Sequence, residues 1–567
     1  MIQYNIHIPQ LINQLALVSI QFRHDAENAI ELEIPAWRPG RYEFQNYAKN
    51  IIQVEALSEN GENIPVQKLS RNAWTILQAP KGEITIHYRY ICTQLDAGGS
   101  WIDDELIYIN PINCCFSIKG KEQEPCTLTF VHPFQGIEVA SALPFTNNTT
   151  IAPDYFNLID NPFFVSLRQN QWKYEVKGIP FYIWTHGNIH FDAELLLNNF
   201  EAFTSAQIQS MKQFPKKEYH FLLLLFDHKM YHGVEHQAST VITLGPAEAF
   251  KTPESLQDLI SISSHELYHA WNVCQLKPQA FYPYQLNKEN YYTTGFITEG
   301  ITSYLGEYYL WESGVFSNDV FIQEIQTWIQ RYEMHSGLKR ANLLESSFDL
   351  WVDGYIPSSS DTKVSIYVAG ALSAICLDLL LRSKNTTLKR FMHHLYEHYA
   401  LQSKGYEEID IVVEIMSFLG EEKTNLFWNT CLVRNQQLSM LQQLLPIYGI
   451  KMYETMSTYI HERDFGFKLL PHTLQVYKIK MEAQQHCPLM IGDVIMAVND
   501  TLITTSAELE NALENHNKVY LQINRKGRIL NLEAQSWDQA YWSMWKVEKN
   551  SEASPEEKLR YEQWKNY

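Results

Sequence analysis

The sequence has no excess of positive charge, no C-x-x-C pair and no apolar run long enough to cross a bilayer. Each absence removes a class of function. With 45 Lys and Arg against 64 Asp and Glu, the net charge is −19, so most of the surface repels a phosphate backbone and no nucleic-acid partner is expected. The eight cysteines (Cys92, Cys114, Cys115, Cys126, Cys274, Cys376, Cys431 and Cys487) are scattered over 567 residues. That spacing argues against a disulfide framework and against a thiolate metal cage, and predicts buried free thiols. The purest apolar run, Phe221 to Phe226, falls far short of the roughly 20 residues of a membrane helix. Residues Met1 to His7 lack the basic segment and apolar core of a secretory signal. A soluble, cytoplasmic protein with no membrane partner is expected. Neither an internal repeat nor a low-complexity linker is evident.

What is present is a well-stocked core. Hydrophobic residues make up 45% of the chain, including 14 Trp, 33 Tyr and 27 Phe, too apolar for a disordered protein. At roughly 150 residues per domain the length predicts three or four domains. From the start to about residue 190 short runs alternate apolar and polar residues, as in Leu17–Phe22, Ala29–Ile34, Ile51–Glu55 and Ile84–Tyr90, the pattern of a half-buried β domain. Helical periodicity takes over after Asp192, whose acidic first turn precedes Leu195, Leu196 and Phe200. An apolar strand, Tyr219–Asp227, and a polar extended segment, 233–244, lead into a helical body that runs to about residue 450. Strands return after Tyr459, around one helical segment at Ser506–Asn515, and form a compact α+β module. Ser554-Pro555-Glu556-Glu557 has capping-box spacing with Pro at the first helical position, which predicts a last helix to about Trp564. The fold class expected is multidomain α+β, divided into a β domain over 1–170, a mostly helical domain over 171–455, the α+β module over 456–540 and a helical tail over 541–567.

The chemistry is concentrated in Ser264-His265-Glu266-Leu267-Tyr268-His269, an H-E-x-x-H pattern within a helical stretch expected from near Pro253. Four residues is about one helical turn, so His265 and His269 share a face on which both imidazoles can bind one zinc ion, with Glu266 beside the open position. The bland alternative is a helix with two half-buried histidines. A catalytic zinc needs a third protein ligand, and Glu299, 30 residues beyond His269, is the best candidate. A carboxylate among Phe296, Ile297, Gly300 and Tyr304 would be costly to bury unpaired; alone, Glu299 also reads as a surface helix residue. With Glu266 as proton acceptor and carrier, these roles describe metal-assisted amide hydrolysis with one zinc per chain.

At this point the sequence resembles peptidase family M61, the glycyl aminopeptidase family. Trp37-Arg38-Pro39-Gly40-Arg41-Tyr42 is similar to its Trp-x-Pro-Gly-x-Tyr segment, and Gly233-Val234-Glu235-His236 followed by Ser239 is similar to its G-x-x-E-H-x-x-S strand. His265–Val273 and Glu299–Thr302 are similar to its zinc signatures, and Val364–Leu372 to its Tyr-x-Lys-Gly segment, with Ala369 where the family has Lys. A second departure is Cys274-Gln275, where the usual pattern is basic. The resemblance implies a thermolysin-like (gluzincin) catalytic domain followed by a PDZ domain. It also implies a metallo-aminopeptidase that acts on peptides with a free N-terminus and favours small residues such as Gly or Ala. By resemblance Tyr367 donates its hydroxyl to the oxyanion, although by itself it reads as a core helix tyrosine. By resemblance Gly233, Glu235 and His236 line the substrate, Glu235 meeting the α-ammonium group; an acidic residue guarding an edge strand is the other reading of Glu235.

Asp464-Phe465-Gly466-Phe467 and Ile491–Asp500 resemble a PDZ carboxylate-binding loop and its G-D-x-I-x-x-V-N strand. Phe465, Gly466 and Phe467 are therefore candidates for holding a peptide C-terminus, or the module packs and binds nothing. Trp537, Trp542, Trp545 and Trp564 are too many indoles for a solvated tail and predict docking. Two rival functions stand beside the aminopeptidase: a zinc endopeptidase of the same fold and a catalytically silent PDZ scaffold.

Overall fold

The computed structural model describes residues 1–334, 341–355, 362–537 and 540–566. Two compact units are present. The first comprises Met1–Phe321, Arg331–Leu444 and Glu562–Tyr567 and the second Ile322–Gln330 and Leu445–Tyr561.

In the first unit the alternation seen in the sequence becomes a β domain. A seven-stranded sheet has Leu15–His24 near its middle, pairing Ile2–His7 on one side and Gly82–Ile91 on the other. Alternate residues of Leu15–His24 are buried, Ala16, Val18, Ile20 and Phe22 among them, as a strand with one core face requires. Two four-stranded sheets complete the domain, one containing Leu106–Ile109, the other Asn28–Glu33 and Ala73–Ala79. A five-stranded sheet follows in the order Gln169–Val176, Ile179–His186, Tyr219–Leu225, Ser239–Gly245, Met230–Glu235. Its middle strand, Tyr219–Leu225, is buried at every residue, because parallel neighbours flank both edges and both faces are covered. A shared core of Leu106, Tyr108 and Phe164 with Leu222, Leu224, Val234 and Val241 runs from the β domain into this sheet, and at about 1.5–3 kcal/mol per buried large side chain it makes the two one folding body.

Helices make up the rest of the unit. Ala193–Met211 starts at Asp192, whose carboxylate accepts from the backbone N–H groups of Glu194 and Leu195. The helix expected from near Pro253 begins at Gln257. Thr252 and Ser255 exchange side-chain and backbone hydrogen bonds just before it, a local turn that competes with helix.

The second unit holds the returning strands. Val494–Val498 lies between Thr501–Leu502 and Lys518–Arg525, which pairs on its other side with Arg528–Gln535. Phe465, Phe467, Val476, Ile495, Leu509 and Leu521 form its core, with helix Ser506–Leu513 contributing Leu509 and Leu513. The tail departs from the helical expectation for 541–567. Ser543–Lys549 is a strand paired along its length with Ile450–Met456, and only Pro555–Asn566 is helical. Alternate burial of Trp545 and Val547 explains the strand. Trp542 and Trp545 are buried in this unit, Trp537 is partly exposed, and Trp564 belongs to the first unit, stacked edge-on against Trp311 with its Nε1 donating to the Tyr304 hydroxyl. Among the described residues no helix is long and apolar enough to cross a membrane. All eight cysteines are free thiols, Cys274 alone only partly buried.

Candidate active site

Helix Gln257–Tyr268 buries Leu259, Ile260 and Leu267 and carries His265 and the buried Glu266 in its last turn. His269 closes the helix in right-handed helical geometry, so the one-turn spacing holds and the two Nε2 atoms lie 3.0 Å apart. Glu299 arrives on a π-helical turn, Phe296–Ile301, which runs into helix Thr302–Glu312; such turns recur at functional sites. Its Oε2 lies 3.4 Å from His269 Nε2 and 3.7 Å from His265 Nε2. Asn272 fixes one segment to the other: its Nδ2 donates to the Ile297 carbonyl at 2.7 Å and to the Thr302 hydroxyl at 2.8 Å.

These three residues suit a divalent ion on two grounds. The Nδ1–H of His269 donates to the Asn272 carbonyl at 3.1 Å, so in the neutral ring the Nε2 lone pair is what faces His265 and Glu299. Lone pairs that converge in a buried space repel unless a cation sits among them. Ligands about 2.0–2.1 Å from a tetrahedral zinc stand about 3.3 Å from one another, and the observed separations are 3.0, 3.4 and 3.7 Å. The second oxygen of Glu299 accepts from the Tyr42 hydroxyl at 3.2 Å. Burial raises the Glu299 carboxyl, but the charge of His269 and the hydrogen bonds of His265 and His269 together outweigh it and hold it down to about 2. Burial in turn lowers His269, but Glu299 foremost and then Glu235 outweigh it and raise the ring to about 10.

Glu266 lies against the hairpin Met230–Glu235 and Ser239–Gly245. A Cβ on Gly233 would stand 2.2 Å from Glu266 Oε1, so only glycine leaves that carboxylate its place. Glu266 Oε2 accepts from the Thr240 hydroxyl at 3.4 Å, and burial pushes its carboxyl up to about 8. Glu235 is 5% exposed, its Oε1 has no hydrogen-bond partner among the described residues, and burial pushes it up to about 7. Carboxylate oxygens of Glu235 and Glu266 and a ring nitrogen of His269 all lie within 4.8 Å of one another. Tyr367 caps helix Val368–Arg382, and its ring centre is 6.4 Å from that of His265.

The structure thus gathers His265, His269, Glu299, Glu266, Glu235, Gly233 and Tyr367 in one place. His236, expected to line the substrate, has both ring nitrogens engaged by protein, with Arg38 Nη2 at 2.9 Å and Asp160 Oδ1 at 3.1 Å. It has no nitrogen left for a ligand. In the second unit Phe465 and Phe467 point wholly into the core, and Gly466, at φ 73°, packs under the ring of Tyr541. Sequence reasoning did not single out Tyr42, Asn272 or Arg38. Tyr42 and Arg38 sit inside the Trp37–Tyr42 segment and Asn272 three residues past His269, but nothing local shows what each touches.

Residues 3–167 match the peptidase M61 N-terminal domain and residues 258–373, which hold His265, His269, Glu299 and Tyr367, match the M61 glycyl aminopeptidase model. The chain belongs to peptidase family M61. Among solved structures, an aminopeptidase N family protein from Idiomarina loihiensis is similar over 100% of both chains, at 25% identity and a TM-score of 0.92. A mutant M1 zinc metallopeptidase from Deinococcus radiodurans, bound to a Tyr-Ser-Ala substrate, is 13% identical over 76% of this chain and 93% of its own, with a TM-score of 0.48. No curated protein matches the sequence. The M61 match supports a peptidase function for this multidomain α+β hydrolase.

Proposed function

We propose that this M61 member is a zinc aminopeptidase that removes the N-terminal residue of short peptides, small residues such as Gly or Ala being favoured. The observation that carries the reading is the convergence of His265, His269 and Glu299 on one point, with the Glu266 and Glu235 carboxylates beside it. His265 Nε2, His269 Nε2 and a Glu299 oxygen would hold one zinc ion, and a bound ion would supply Lewis acidity to a carbonyl and to water. Glu266, kept in place by Gly233 and Thr240, takes a proton from the attacking water and returns it to the leaving amine. The hydroxyl of Tyr367 donates to the oxygen that gains charge. Glu235, with one oxygen unpartnered, accepts the substrate's α-ammonium group, and the edge strand Met230–Glu235 offers its backbone to the peptide.

The domain reading that accompanies this is a β domain over 1–170, a thermolysin-like catalytic domain over 171–455 and a PDZ domain over 456–540. The burial of Gly466 under Tyr541 favours packing over peptide capture for the loop Phe465–Phe467. A panel of aminoacyl amides, each offered free and N-acetylated to protein of measured zinc content, tests the function. One equivalent of zinc and turnover of the free amides alone is the expected result. Cleavage of acetylated peptides at the same rate would establish an endopeptidase, and zinc-free protein without turnover a silent scaffold.

A further inference from the structure

Arg38 is 1% exposed, and a guanidinium carries only N–H donors and stays charged. Its Nη2 lies 2.9 Å from His236 Nε2, so that nitrogen must be the acceptor and the ring proton sits on Nδ1. Nδ1–H donates to Asp160 Oδ1 at 3.1 Å, and Asp160 Oδ2 accepts from the Gln237 backbone N–H at 3.0 Å. A neutral imidazole therefore bridges a buried cation and a carboxylate, and three segments distant in sequence are tied to one place. That place is the end of the edge strand Met230–Glu235. From the same segment as Arg38, Gly40 lies so close to Glu235 that a Cβ there would stand 2.3 Å from Oε2. Residues 38 and 40 thus hold 236 and 235 respectively, and Glu235 Oε1 is left unpartnered.

We propose that Arg38 is a positioning residue which, through His236 and Asp160, fixes the strand end so that the Glu235 carboxylate faces the substrate amine. This rests on the reading of Glu235 as the amine acceptor. Burying a guanidinium is costly, and a residue serving only to pack the β domain could be apolar; hydrogen bonding to the residue next to Glu235 gives the charge a use.

The test measures binding by calorimetry on the full chain carrying Glu266→Gln throughout, which removes turnover, with glycinamide and N-acetylglycinamide as probes. Arg38→Gln should weaken glycinamide about tenfold and N-acetylglycinamide less than twofold. Arg38→Lys, which keeps a charged donor, should recover most of the loss. The double variant Arg38→Gln/Glu235→Gln should bind no more weakly than Glu235→Gln alone. Equal weakening of both probes by Arg38→Gln, with losses that add in the double variant, would overturn the proposal. If Glu235→Gln itself fails to distinguish the probes, the amine reading has failed, and additivity in the double variant still decides whether Arg38 acts through Glu235. Should Arg38→Gln not fold, His236→Asn, whose shorter amide can replace Nδ1 toward Asp160 but does not extend to where Nε2 meets Arg38, must show the same selective loss.

Discussion

Substituting Gly300 by alanine should loosen the metal site without touching a ligand. Gly300 follows Glu299 on its π-helical turn and faces Gly370, three residues beyond Tyr367, so closely that an added Cβ would lie 2.4 Å from Gly370 Cα and 2.6 Å from its carbonyl carbon. Ordinary contact begins at 3.4 Å, so the two backbones must part by about 1 Å, and no flexible side chain is there to yield. Overpacking of this kind costs about 1–3 kcal/mol. Metal–ligand distances tolerate only about ±0.2 Å, so a shift of Glu299 several times larger should lower zinc affinity about ten- to hundredfold, on the scale seen when a ligand's support is removed. Competition with a chromogenic chelator gives the affinity, and thermal unfolding of the metal-free protein gives the packing cost. Gly370→Ala, with its Cβ 2.6 Å from Gly300 Cα, should weaken zinc by a similar factor. A Gly300→Ala protein with unchanged melting temperature and unchanged zinc affinity would refute the idea that this crossing sets the position of Glu299.

Four further substitutions bear on the site. Glu266→Gln should retain one zinc per chain by metal analysis and lose aminoacyl amide hydrolysis; turnover at the wild-type rate would remove Glu266 from the chemistry. Tyr367→Phe should lower kcat about 10²–10³-fold with little change in KM, the loss expected of one oxyanion donor, and a pure KM effect would count against that role. Tyr42→Phe deletes the hydrogen bond to Glu299 Oε1 and should weaken zinc about tenfold, measured by the same chelator competition, whereas Glu299→Ala should abolish stoichiometric zinc.

Local features of this protein are legible from residue spacing alone. Spacing of four residues in a helix is enough to put His265 and His269 on one face, because the α-helix repeats every 3.6 residues, and alternation is enough to call the strands of the β domain. The sequence alone did not determine the tail, where burial of alternate residues opposite Ile450–Met456 makes a strand of Ser543–Lys549. Nor did it show that Tyr42, 257 positions from Glu299, donates to that carboxylate, or that Arg38 takes the Nε2 of His236. A hydrogen bond needs two groups within about 3 Å, and for groups hundreds of residues apart only packing sets that distance. Tertiary structure also decided which glycines matter, since Gly233 and Gly300 owe their importance to Glu266 and Gly370, the neighbours that leave no room for a methyl group.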